Sequence, residues 1–117
     1  MPVLRSEVGV RTIIKNGIQR SLVCTDHLMT VVVEISNGPW LEPEPMHDHI
    51  HEQTTYIAEG ELIFFCEDEP PQRLKAGDLF YIPSNRKHAI QLLSSAAKLV
   101  DSFTPQRTEF LVKTTLL

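Results

Sequence analysis

The sequence predicts an all-β fold, a sandwich or barrel of short strands, on two observations. Short runs rich in β-branched and aromatic residues recur along the chain, with turn signals every ~8–12 residues. Eight prolines, at positions 2, 39, 43, 45, 70, 71, 83 and 105, leave few windows long enough for a helix.

The elements follow in order. "RTIIKNGIQRSLVC" (11–24) reads as two strands joined at Asn16-Gly17, a dipeptide suited to a tight hairpin. "LMTVVVEIS" (28–36) is a strand that ends at the turn Asn37-Gly38-Pro39. "TTYIAEGELIFFC" (54–66) is two strands joined through Glu59-Gly60-Glu61. "DLFYIP" (78–83), "HAIQLL" (88–93) and "AKLVDSF" (97–103) add three more. "TPQRTEFLVK" (104–113) alone suits a helical turn, with Thr104 as its cap.

A chain of 117 residues has room for a single core, so one domain is expected over 1–117. Its hydrophobic share of 42% and charged share of 22% are those of a globular protein. The net charge is −4 and the eleven basic residues form no run, which argues against a nucleic-acid partner. No apolar run approaches the ~20 residues needed to span a bilayer, so no membrane partner is expected. "MPVLRSEVGV" has no charged leader followed by an apolar stretch, and the expected location is cytoplasmic. Cys24 and Cys66 are expected to be buried free thiols.

The chemistry concentrates in "HDHIHEQ" (47–53). On an extended strand His47 and His49 share a face with Cα atoms about 6.6 Å apart. Two imidazoles so placed can converge on one ion through bonds of ~2.1 Å. Gln53 would lie about 20 Å from His47 on the same strand. It can join them only if Ile50-His51-Glu52 turns the chain back. His51 is expected beside the site rather than in it. Glu52 is the alternative oxygen donor if the register slips by one residue. His27 lies in a loop and carries no role.

A second segment, "AGDLFYIPSNRKHAI" (76–90), carries a turn glycine, a strand, a proline, a polar turn and His88. Together the two segments resemble the cupins. His47-x-His49-x3-Gln53-x6-Gly60 matches the first cupin motif, HxH-x3-E-x6-G, with Gln for Glu. Gly77-x5-Pro83-x4-His88 matches the second, G-x5-P-x-G-x2-H, with Asn85 at the glycine. About sixteen residues separate the motifs, as in compact cupins. Two departures stand away from the ligand positions: Leu41 where the first motif has its leading glycine, Gly38 being the nearest, and Leu92 where an asparagine often follows the second-motif histidine.

The resemblance implies a jelly-roll β-barrel, or double-stranded β-helix. It also implies that His47, His49, Gln53 and His88 hold one divalent transition metal. Nickel, zinc, iron, manganese and copper all remain open. Three imidazoles and an amide are neutral, so such an ion keeps its full charge, which suits Lewis-acid work on an anion.

"DSFTPQR" (101–107) sets Asp101, Phe103 and Arg107 close together, with Asp101 and Phe103 on one strand face. An Asp–Arg surface pair with a core Phe would explain these residues alone. The chain is also similar to the small cupins of uronate catabolism, the pectin-degradation KdgF type, which carry both "HxHxHEQ" and D-x-F-x3-R. That likeness implies an enzyme converting 4,5-unsaturated monouronates to linear 4-deoxy-5-keto-uronate. Asp101 would be the general acid/base, Phe103 would pack the sugar ring and Arg107 would hold the carboxylate of a small anionic sugar acid. The alternatives are a non-catalytic metal-dependent module binding a sugar acid or anion, and a cupin dioxygenase. A homodimer is expected from the same family.

Overall fold

The computed structural model describes residues 3–6 and 12–114, and these form nine strands and one helix. The strands are β1 (Thr12–Lys15), β2 (Ile18–Cys24), β3 (Met29–Ile35), β4 (Glu52–Glu59), β5 (Glu61–Cys66), β6 (Gln72–Lys75), β7 (Leu79–Ile82), β8 (His88–Leu92) and β9 (Ala97–Thr104). The helix, α1, spans Thr108–Thr114.

All pairings are antiparallel. Six strands form one sheet in the order β1-β2-β3-β9-β4-β7, and three form a second, β6-β5-β8. The predicted barrel is therefore two hydrogen-bonded sheets rather than one closed sheet. Side chains join them: Phe64 of β5 stacks on Phe80 of β7 with centroids 4.2 Å apart. The core holds Ile35, Ile57, Leu62, Ile82, Leu92 and Leu99, and each such burial contributes about 1.5–3 kcal/mol.

Strand alternation decides what faces that core. The register sets Gln53, Phe103, Met29 and Ile82 in one cross-strand row. Two residues along, Thr55, Asp101, Val31 and Phe80 form the next. Inward-pointing polar groups thus sit among apolar neighbours on one half of the large sheet.

Residues 40–47 have no strand of their own, yet they cover the free edge of β8. Trp40 N–H donates to Leu92 O (2.9 Å), Glu44 N–H to Ile90 O (3.1 Å) and His47 N–H to His88 O (3.0 Å). The edge is covered in this way rather than left open to another chain.

Several expectations need correction. Arg11, expected to open the first strand, lies outside the described residues. Gln72–Lys75 is a strand, because "QRLK" acquires a partner in β5 that its own composition does not announce. Glu52 belongs to β4 and not to the turn before it. Thr104 does not cap the helix; it is still paired in β9 opposite Glu52, and α1 begins at Thr108. Both cysteines are free thiols, but Cys24 is exposed and Cys66 half-buried.

Candidate functional site

The turn required of residues 50–52 is made at Ile50 and His51. His47 forms a single antiparallel bridge with His88, the first residue of β8. The chain then bends at Ile50 and His51 and enters β4 at Glu52. Asn85 N–H donates to His49 O (2.8 Å) and Ser84 Oγ to Ile50 O (2.6 Å), so the polar turn of the second motif holds the bend of the first. Asn85 has φ 64°, in the left-handed region. Asparagine is the non-glycine residue best able to adopt it, which accounts for its standing at the motif's glycine position.

Three imidazoles converge as a result. The His88 ring centroid lies 4.4 Å from that of His47 and 4.8 Å from that of His49, and the His47–His49 pair is 6.4 Å apart. Gln53 completes the group, with its Oε1 3.1 Å from His49 Nε2. Glu52, next in sequence, is exposed and points the other way. His51 is half-buried beside the site, its ring edge-on to His49 at 5.5 Å and to Phe103 at 6.5 Å and its carbonyl facing His49 Nδ1.

Each of the three rings is oriented by a carbonyl. His47 Nδ1 meets Pro45 O at 3.1 Å, His49 Nδ1 meets His51 O at 2.9 Å, and His88 Nδ1 meets Arg86 O at 2.8 Å. A carbonyl only accepts, so the hydrogen-bond partners assign the proton to Nδ1 and leave each Nε2 lone pair free. Burial, with nearby positive charge, lowers the His49 pKa and brings that of His88 down to about 4. Both are neutral, as a metal ligand must be.

The amide makes the fit with a cation specific. Thr55 Oγ donates to Asp101 Oδ1 (2.6 Å), so its oxygen accepts from Gln53 Nε2 (2.9 Å), which also reaches Asp101 (3.4 Å). That orients Oε1 toward the His49 Nε2 lone pair. Two acceptors 3.1 Å apart repel unless a positive charge lies between them. Two donors on one ion with ~2.1 Å bonds at a right angle sit about 3.0 Å apart. Rings bound through Nε2 to one ion have centroids at most about 6.5 Å apart, and the His47–His49 pair is at that limit. Among the described residues no three His, Cys, Asp or Glu side chains form a closed metal cluster as they stand. The side chains that could hold an ion here are the three imidazoles and the Gln53 amide.

The same network brings in the third stretch. Asp101 is half-buried as a residue, and the shielding of its carboxyl from water pushes its pKa up to about 6 against the hydrogen bond from Thr55, the charge of Arg107 and the contact with Gln53. Phe103 is only 2% exposed and lies edge-on to His49 with centroids 5.9 Å apart. The Arg107 guanidinium stands 5.1 Å from the Phe103 centroid and 4.3 Å from that of Phe110, and pairs with Glu109 at 3.0 Å. All three residues line a cavity of about 200 Å³ with His47, Gln53 and His88. A larger cavity of about 340 Å³ lies near Phe64, Leu74 and Tyr81, but it contains none of the histidines. Chemistry, not size, assigns the site.

Two residues of the site escaped the sequence reading. Thr55 is 0% exposed and links Gln53 to Asp101; its signal was its place two residues after Gln53 on the same strand face. Arg20 lines the cavity from β2; its signal was a lone cation in the inward series Ile18, Arg20, Leu22.

Comparison with known proteins agrees with this geometry. The model of the cupin domain matches residues 32–103. The chain belongs to the cupin family. This cupin is 35% identical over 97 residues to the pectin degradation protein KdgF of Dickeya dadantii, covering 82% of this chain and 86% of that one. The solved structure of KdgF from a Halomonas species superposes with a TM-score of 0.80 at 28% identity, covering 92% of this chain and 97% of that one. An RmlC-like cupin from Shewanella frigidimarina gives 0.79, also at 28% identity, over 91% and 92%.

Proposed function

We propose that this cupin is a metal-dependent enzyme of pectin or alginate breakdown that converts 4,5-unsaturated monouronates to linear 4-deoxy-5-keto-uronate. The observation that carries the reading is the hydrogen-bonded chain Gln53–Thr55–Asp101, which joins the imidazole cluster to a solvent-shielded carboxyl in one cavity with Arg107. The likeness to KdgF over most of both chains supports the substrate class.

The reaction is an isomerisation. The anomeric hydroxyl loses a proton, the ring C–O bond opens, and a proton is added at C4 as the enol becomes a ketone. No oxidant is needed. Asp101 moves the proton in this reading, which its pKa supports, since a carboxyl with a pKa near 6 can both hold and release one close to neutral pH. Phe103 presents an apolar wall to the sugar ring, and the Arg107 guanidinium faces the carboxylate. His47, His49, Gln53 and His88 would hold the divalent ion, which supplies Lewis-acid polarisation of a substrate oxygen when bound.

The test follows the absorbance of the substrate's conjugated double bond. Metal-loaded protein should accelerate its loss, and Asp101→Ala should abolish that acceleration while metal content stays unchanged. Ligand-induced stabilisation without turnover would favour a binding module instead.

A further inference from the structure

Arg20 is a buried cation that the proposed reaction does not use. It is 9% exposed, on the inward face of β2, and lines the same cavity as Asp101, His88 and Arg107. Its guanidinium lies 3.5 Å from the Phe110 ring centroid, while Arg107 lies 4.3 Å from the same ring. The two arginines therefore flank one aromatic ring. Their partners differ. Arg107 is engaged by Glu109 through both Nε (3.1 Å) and a terminal nitrogen (3.0 Å). Among the described residues the Arg20 Nε is buried with no hydrogen-bond partner. Burial and the charge of Arg107 both act against its protonated form, with Glu109 and Asp101 opposing them.

A guanidinium in this position is costly to the fold unless an anion reaches it. Asp101 acts on it only through space: its Oδ1 accepts from Thr55 and Gln53, and among the described residues it forms no ion pair with Arg20. A planar carboxylate entering the cavity is the anion whose geometry matches a guanidinium fork.

We infer that Arg20 is the carboxylate anchor of this site, receiving the acid group of a sugar-acid ligand beside Arg107, and so selects uronates over neutral sugars. The inference rests on the uronate reading for its substrate class. It assigns the stronger grip to Arg20, because Arg107 already has an acidic partner.

The test is calorimetric titration of metal-loaded protein with D-galacturonate and, separately, with its methyl ester. Wild type should bind the acid at least tenfold more tightly than the ester. Arg20→Met should lose that preference while ester affinity stays within twofold and metal content is unchanged. Arg20→Lys keeps the charge without the fork and should lose severalfold on the acid alone; it carries the test if Arg20→Met does not fold. The inference is overturned if Arg20→Met keeps the preference, if both ligands weaken equally, or if wild type shows no preference. Turnover of the unsaturated uronate separates the two ideas. Absent turnover with the acid preference lost in Arg20→Met leaves the anchor and removes the reaction. Turnover with an unchanged KM in Arg20→Met does the reverse.

Discussion

Replacing Gln53 by glutamate exchanges an amide nitrogen for an oxygen at the point where the imidazoles meet the buried acid. In the native chain that nitrogen donates to Thr55 at 2.9 Å and approaches Asp101 at 3.4 Å. Gln53→Glu removes both donations, worth about 1 kcal/mol each. It also sets a carboxylate oxygen 3.4 Å from Asp101 Oδ1. At an effective dielectric of about 20 that repulsion approaches 5 kcal/mol, an upper bound, because the pair takes up a proton instead. The net cost in metal-free protein should be about 2–4 kcal/mol, or roughly 8–16 °C in Tm.

The cost has a pH signature. Folded Asp101 releases its proton near pH 6 rather than near 3.8. The folded state therefore holds an extra proton between those values, and its stability falls as pH rises through them. In Gln53→Glu that fall should extend above pH 6, so the deficit grows toward pH 8. Thermal unfolding of chelator-treated protein provides the assay, with Asp101→Asn as the second arm. In the Asp101→Asn background Gln53→Glu should cost about 1 kcal/mol or less. An equal cost in both backgrounds would refute the reasoning. The amide at 53 would then owe nothing to the acid beside it.

Thr55→Val, nearly isosteric, should destabilise by about 1.5–3 kcal/mol and lower kcat more than it raises KM, because it strips a charge-assisted bond from Asp101; unchanged urea denaturation and kinetics would contradict this. Asn85→Ala should cost about 1–2 kcal/mol and Asn85→Gly close to nothing, as φ 64° demands; equal losses in chemical denaturation would show that the side chain and not the backbone matters there. Gly60→Ala should be far worse than either, since its Cβ would stand 2.6 Å from Ala96 O at φ +98°; wild-type Tm would count against it. Tyr56, Leu79 and Tyr81 are exposed on neighbouring strands. If they pair two copies as the homodimer expectation requires, Tyr81→Glu should halve the mass seen in sedimentation, and an unchanged mass would place the contact elsewhere or dispense with it.

What could be read from the chain was mostly what is decided locally. The Asn16-Gly17 hairpin, the break at Asn37-Gly38-Pro39 and the period-two alternation of "AKLVDSF" act within a few residues, and each appears where expected. Gln72–Lys75 was missed because a short edge strand of mostly polar residues is made by its neighbour. His47 and His49 were treated as strand residues, yet only His47 bridges, and the convergence of the rings depends on Asn85 and Ser84 from a distant turn. The motif resemblance named the four candidate donors and offered neutrality as a reason for the amide, but not the hydrogen bonds that hold it. Those bonds need β4 beside β9, which brings Asp101 to Gln53 through Thr55. Arg20 was unreadable for the same cause, since its meaning comes from Phe110 and Arg107 across the cavity.

The most direct test of the account is the disappearance of unsaturated-uronate absorbance, followed with purified protein as isolated, after chelation and after reloading with each candidate metal. The account predicts loss of rate on chelation, recovery with at least one divalent transition metal, and no recovery for Asp101→Ala at equal metal content. An uncatalysed rate with every metal-loaded form would contradict it.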